Sequence, residues 1–245
     1  MVELVTVRCL SDNYAYLIHG GGQTALIDAP EAAPILAELS RRGWGLDVIL
    51  LTHHHDDHIQ AVPDIVAATG AEVWGNGADR HRLPPLDRAL APGEAAEVCG
   101  EALEVIDVPG HTVGHVAFHL PGAGLAFTAD SLMAIGCGRI FEGTPAQMWD
   151  SLTRLAALPE ETLICSGHDY ARGNGAFALA VDPENAVLRA RLDATLAGPR
   201  PASPATLAEE KATNPFLRAG ALARPGEDAG AAFARLRAEK DGFRG

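Results

Sequence analysis

The run Thr52-His53-His54-His55-Asp56-Asp57-His58 constrains this chain more than any other stretch. It follows Asp47-Val48-Ile49-Leu50-Leu51, which is apolar enough to read as a buried strand. In extended backbone, residues two apart project to the same side, so His53 and His55 can grip one ion while His54 points the other way. Asp57 and His58 come where the chain turns toward a helix, and they offer a carboxylate and an imidazole for a neighbouring ion. A metal that activates water at neutral pH needs such ligands on a scaffold that leaves one coordination position open.

Three later residues obey one rule. His111 follows a strand ending at Val108, Asp130 follows the strand Leu125 to Thr128, and His168 follows the strand Thr162 to Ser166. Loops leaving the same edge of a sheet converge, which is where active sites gather in layered α/β folds. Pro109-Gly110 and Ser166-Gly167 permit the tight turns that aim two of these histidines inward. Of the other histidines, His19 and His81 read as surface residues, and His54, His115 and His119 as structural or ligand-supporting groups.

The chain opens with strands at Val2 to Val7, Tyr14 to His19 and Thr24 to Ile27, with Gly20-Gly21-Gly22 turning between the last two. Helical spacing covers Ala32 to Arg42 and Ile59 to Thr69, and Ala71 to Trp74, Leu103 to Val108 and Val116 to Leu120 read as strands. Thr144-Pro145 opens a helix carrying Met148, Leu152 and Leu155. Beyond Tyr170 strand signals stop: Asp182-Pro183 opens a helix ending at Gly198, Pro199 to Pro204 is a rigid connector, Thr206 with Glu209 resembles a capping box, and Asp228 to Lys240 suits a last helix. The expected division is a catalytic domain over residues 1–170 and a helical one over 171–245. With 47% hydrophobic residues, the chain can bury a sizeable core.

A net charge of -13 makes nucleic acid and anionic membranes poor partners. Four scattered cysteines, Cys9, Cys99, Cys137 and Cys165, indicate neither a disulfide framework nor a thiolate zinc site, and fit a reducing cytoplasm. Glu3 and Arg8 interrupt the first apolar stretch, and no run is long enough to cross a bilayer, so the chain reads as soluble, unprocessed and monomeric.

The histidine run resembles the signature of the metallo-β-lactamase superfamily. The resemblance implies a four-layer αββα sandwich in which His53, His55 and His111 bind one metal, Asp57, His58 and His168 bind the other, and Asp130 bridges them. Both ions are expected to be zinc, although such ligands also accept iron or manganese. Asp57 and Asp130 are then the catalytic carboxylates, holding a metal-activated hydroxide as nucleophile. Further strings, Ser11-Asp12-Asn13-Tyr14, Gly136 to Thr144, Gly167-His168-Asp169-Tyr170, Asn214-Pro215-Phe216-Leu217-Arg218 and Glu239-Lys240-Asp241, are similar to those of the hydroxyacylglutathione hydrolase (glyoxalase II) family. This implies hydrolysis of S-D-lactoylglutathione to glutathione and D-lactate.

By the same resemblance Arg218 would hold the glycine carboxylate of glutathione, Tyr170 would hydrogen-bond the peptide, and Arg139 with Phe141 would line the groove. Arg139 reads equally well as a solvated surface arginine, and Arg172 better as one. Two departures bear on glutathione affinity: Phe141 stands where members often carry tyrosine, and Ala219-Gly220-Ala221 stand where a lysine often follows the arginine. The alternatives are a glutathione persulfide dioxygenase with a single iron, which would not need Asp57 and His168 as a second set, a nucleic-acid-processing enzyme, and a protein with structural metals only. The acidic charge argues against the second and the scarcity of cysteine ligands against the third.

Overall fold

Short turns join the first apolar stretches, so they pair with their neighbours in sequence. Strand β1 (Glu3–Cys9) runs antiparallel to β2 (Asn13–Gly20), and β2 to β3 (Gln23–Ile27). Gly21 and Gly22 make the second turn with φ of 58° and 79°, a backbone that side chains with a Cβ rarely adopt. Beyond β3 the connections contain helices and pairing becomes parallel, because a crossover is needed to return to the same sheet direction. Helix α1 (Ala32–Arg42) leads to β4 (Val48–Leu51), and α2 (Asp56–Ile59) with α3 (Val62–Thr69) leads to β5 (Glu72–Asn76), followed by the edge strand β6 (Arg88–Leu90). The sheet order is β1-β2-β3-β4-β5-β6. Ile35 and Leu39 of α1, with Val62 and Ile65 of α3, pack on one of its faces. Strand β4 is buried along its whole length, as an unbroken apolar run requires.

An antiparallel meander follows: β7 (Ala95–Val98), β8 (Glu101–Asp107), β9 (Val116–Leu120) and β10 (Leu125–Ala129). Phe127 of β10 meets Tyr16 of β2 at 5.6 Å between ring centroids, so the meander packs against the first sheet. The computed structural model describes residues 2–198 and 201–244, and its contacts divide the chain into two compact units. Residues 1–107 and 114–127 form the first, and residues 108–113 and 128–245 the second. The expected connector at Pro199 to Pro204 begins outside the described residues, at positions 199 and 200.

In the second unit β11 (Leu132–Met133) and β12 (Gly136–Cys137) form a small hairpin, and α4 (Pro145–Ala156) opens on a capping box between Thr144 and Gln147. Strand β13 (Leu163–Ser166) precedes α5 (Ala171–Val181) and α6 (Ala186–Ala197), then pairs with β14 (Ala205–Thr206). Helices α7 (Leu207–Thr213) and α8 (Ala229–Gly242) complete the chain. No described helix is long and apolar enough to cross a membrane.

The structure departs from the sequence expectations in three places. The helix expected from Ile59 to Thr69 is two, and the first begins at Asp56, inside the histidine run. Helix α5 was not anticipated, because Gly173 and Gly175 dilute its pattern; a Cβ on Gly175 would lie 2.4 Å from Leu192, so glycine there lets α5 and α6 approach. The helix expected from Asp182 begins only at Ala186, where the Asn185 side chain caps it by accepting the Leu188 N–H at 3.0 Å.

Candidate active site

In the first unit, Asp28 follows β3 and Thr52 follows β4, and these strands are parallel neighbours with Ile27 opposite Leu50. The register brings the two residues within hydrogen-bonding reach. Asp28 adopts φ 57° and is buried; its Oδ1 accepts the Thr52 N–H at 2.9 Å and its Oδ2 accepts the Thr52 hydroxyl at 2.8 Å. The same Oδ2 accepts from His58 Nδ1 at 2.8 Å. Since the threonine proton is committed to Asp28, His53 Nδ1 donates to Thr52 Oγ1 at 3.0 Å. Both imidazoles are thereby held as tautomers whose Nε2 carries a lone pair.

His53 Nε2 lies 3.2 Å from His55 Nδ1, so the pair expected to share a side does so. His54 turns away toward Asp79, whose other oxygen accepts from Arg82 Nε at 2.6 Å. Asn13 donates its amide to both the carbonyl and the Oδ2 of Asp57 at 3.0 Å, and His58 Nε2 stands 3.9 Å from that Oδ2. His115, read as structural, is fully buried and stacks on His53 at 4.6 Å.

The second unit carries His111, Asp130 and His168. His111 Nδ1 donates to the Arg139 carbonyl at 2.8 Å, leaving its Nε2 3.3 Å from Asp130 Oδ2. His168 Nε2 lies 3.4 Å from the same oxygen. Close backbone packing makes this possible: a Cβ on Gly138 would fall 1.9 Å from the Asp130 carbonyl, and one on Gly110, at φ 151°, would strike Met148. Two imidazole nitrogens facing one carboxylate oxygen suit a carboxylate shared between two divalent cations, and the first unit adds further imidazole and carboxylate donors.

A cavity of about 550 Å³ within the second unit opens beside His111 and Asp130. Arg139, Phe141 and Tyr170 line it. Tyr170 stacks on His168 at 4.7 Å, and the Arg139 guanidinium lies 5.9 Å from the Phe141 ring centre. Arg218 does not line it; its Nε donates to Asp182 at 2.9 Å, tying the segment after α7 to the end of α5. The cations that do line it beside Arg139 are Arg172, Arg237 and Lys240. Burial, and after it the charge of Arg237, pulls the Lys240 ammonium below the ordinary lysine range. Cys137 also borders the cavity, but burial pushes its thiol up, so it stays protonated and is no nucleophile.

Asp28 and Asn13 escaped the sequence reading as site residues. Asp28 sits just past a strand's carboxyl end, the rule that marked the other ligands, so a signal was present. Arg172 reads as a surface group and Arg237 sits in a helix of mixed charges, while Lys240 stands in the quoted string Glu239-Lys240-Asp241 without a site role being drawn from it.

A family model described as the metallo-beta-lactamase superfamily matches residues 10–168, and one described as the hydroxyacylglutathione hydrolase C-terminus matches residues 169–243. The chain is 59% identical to a hydroxyacylglutathione hydrolase of Fuscovulum blasticum, with 99% of each chain covered. It is 56% identical to one of Ruegeria pomeroyi, again over 99% of both. Among solved structures it is similar to ETHE1 from Myxococcus xanthus, with a TM-score of 0.69 at 27% identity over 97% of this chain and 90% of that one.

Proposed function

The chain belongs to the metallo-β-lactamase superfamily and, within it, to the hydroxyacylglutathione hydrolases, and from that membership we propose which of its residues hold metal and which hold substrate. The fold is α+β, with mixed sheets, flanking helices and a C-terminal helical region. The protein is a thiolester hydrolase that converts S-D-lactoylglutathione and water to glutathione and D-lactate. Its histidine and aspartate clusters make a dinuclear metal site.

The proposed ligands are His53, His55 and His111 for one ion and Asp57, His58 and His168 for the other, with Asp130 shared. The observation that carries this reading is the single Asp130 oxygen faced by Nε2 of both His111 and His168 beside a cationic cavity. When bound, two divalent ions supply an activated water and a polarised thioester carbonyl. Asp28 and Thr52 hold the tautomers of His58 and His53, the Arg139 carbonyl holds that of His111, and Asn13 orients Asp57. No strong general acid is needed, because a leaving thiol has a pKa of about 8.5. The segment 171–245 is proposed as the substrate-binding part, with Tyr170 at its edge and its cations facing the carboxylates of glutathione. Zinc in both positions suits the nitrogen and oxygen donors. Four buried free thiols fit a cytoplasmic location, and the chain is proposed to act as a monomer.

The test is metal content per chain beside S-D-lactoylglutathione hydrolysis, for the wild type and for Asp57→Ala and His168→Ala. Each variant is expected to fold, to lose one metal equivalent and to lose nearly all turnover. Full turnover with one bound metal would overturn the dinuclear reading and favour the single-iron alternative.

A further inference from the structure

Three of the four cations at the cavity are already engaged. Arg237 is buried and donates to the Cys137 carbonyl and to Asp241, both at 2.9 Å. Arg139 stands 3.4 Å from the same Asp241 carboxylate, and Lys240 donates to the Gly173 carbonyl at 2.9 Å. Arg172 differs: it lies in the first turn of α5, lines the cavity, is exposed, and among the described residues has no hydrogen-bond or ion-pair partner.

A guanidinium offers a planar fork that matches a carboxylate with two parallel hydrogen bonds. Glutathione carries two carboxylates, one on glycine and one on the γ-glutamyl residue, and a chain of net charge -13 repels such a ligand unless the pocket itself is cationic. Phe141 contributes no hydroxyl to the lining, so polar recognition on this wall falls to the cations. We propose that Arg172 pairs one carboxylate of the glutathione moiety and thereby sets the preference for glutathione thioesters over thioesters lacking that group. The proposal rests on the glutathione-thioester reading above. It assigns Arg172 a role in selecting substrate, not in the chemistry of the acyl carbon. An exposed pair of this kind is screened by salt, so its contribution should shrink as ionic strength rises.

The experiment compares metal-loaded wild type, Arg172→Ala and Arg172→Lys on three substrates: S-D-lactoylglutathione, its glycine monoester, and S-D-lactoyl-N-acetylcysteinylglycine, which lacks the γ-glutamyl residue and whose blocked amine cannot take the acyl group from sulfur. Glutathione binding by calorimetry and metal content are measured alongside. For the alanine variant KM on the full substrate should rise about tenfold, corresponding to about 1.4 kcal/mol, with the loss in KM rather than kcat. Glutathione binding should weaken in parallel and metal content should stay constant. Lysine should restore part of the loss, and the difference should narrow at high salt. The difference should vanish with the analogue that lacks the paired carboxylate, which identifies the glycine or the γ-glutamyl group. An equal loss on all three substrates, or an unchanged KM in a wild type active on S-D-lactoylglutathione, would overturn the role of Arg172 alone. A wild type inactive on all three would sink the glutathione reading itself.

Discussion

Asp28→Asn is the substitution whose consequence the structure defines most closely. The backbone is not at issue, because asparagine tolerates the positive φ of 57° at this position. The amide oxygen can still accept the Thr52 N–H, but the NH2 group replaces the oxygen that receives both the Thr52 hydroxyl and His58 Nδ1–H. Hydrogen bonds to a charged group are worth about 1.5 to 3 kcal/mol each, so losing two costs roughly 3 to 6 kcal/mol before relaxation. The simplest relaxation moves the His58 proton to Nε2, letting Nδ1 accept from the new amide. That proton then occupies the nitrogen proposed to bind metal. Loss of such a supporting partner lowers metal affinity about 10- to 100-fold. The assay is metal retained per chain against a competing chelator, with thermal unfolding of the metal-free protein recorded in parallel. Expected is a folded variant that surrenders one metal first and recovers turnover in excess metal. A folded Asp28→Asn protein with wild-type affinity for both metals would refute the reasoning.

Arg218→Ala is expected to lower stability slightly, by less than about 1 kcal/mol for a part-exposed ion pair, with KM unchanged, because its partner is Asp182. A raised KM specific to glutathione thioesters would return Arg218 to the substrate role that the sequence resemblance implies. Lys240 has its pKa lowered in the fold, chiefly by burial, and it shares its surroundings with Arg237, Asp241 and Cys137. Its charge is therefore lost at a lower pH than that of an ordinary lysine, so KM should rise on the alkaline side, and Lys240→Arg should move that limb upward. By linkage the folded state carries the cost of the charged lysine at neutral pH, and stability should rise as pH climbs through the lowered value. A KM limb that stays put in Lys240→Arg would assign it to another group.

The metal-binding half was legible because it obeys strand geometry. His53 and His55 follow β4, and His111, Asp130 and His168 follow β8, β10 and β13. Their place just past a strand's carboxyl end was therefore readable, while their partition between two ions came only with the family resemblance. Asp28 follows β3 by the same rule but stands in the ordinary string Ile27-Asp28-Ala29-Pro30, so only its hydrogen bonds from Thr52 and His58 reveal its task. The cavity cations are a different case. Arg237 and Lys240 lie in a helix that mixes charges of both signs, a pattern that reads as a solvated face. What brings them to the cavity is the packing of α8, where Phe233 meets Trp149 of α4 and Phe216. Such packing leaves no local trace. Arg218 differs again: its motif is distinctive, and in the fold its charge is taken up by an aspartate 36 residues away.

The helical segment also does more than face the substrate. Glu210 is fully buried, accepts the Ile135 N–H at 2.9 Å and the Asn214 amide at 3.0 Å, and is ion-paired with Arg191. Asn214 donates onward to the carbonyls of Met133 at 3.1 Å and Gly136 at 2.8 Å. These bonds clamp the β11–β12 hairpin, in which Ile135 adopts φ 57°. A β-branched residue held there costs about 1 to 3 kcal/mol and persists only where its surroundings over-determine it. The hairpin is the stretch between Asp130 and Gly138, whose backbone approaches the Asp130 carbonyl closely. Its position therefore bears on the shared carboxylate, on the carbonyl of Arg139 that fixes His111, and on the Cys137 wall of the cavity. All seven proposed ligands precede residue 169, yet the geometry of one of them depends on a carboxylate and an amide beyond residue 209. The helical segment thus holds the hairpin next to the proposed shared carboxylate, although the two lie in separate stretches of sequence.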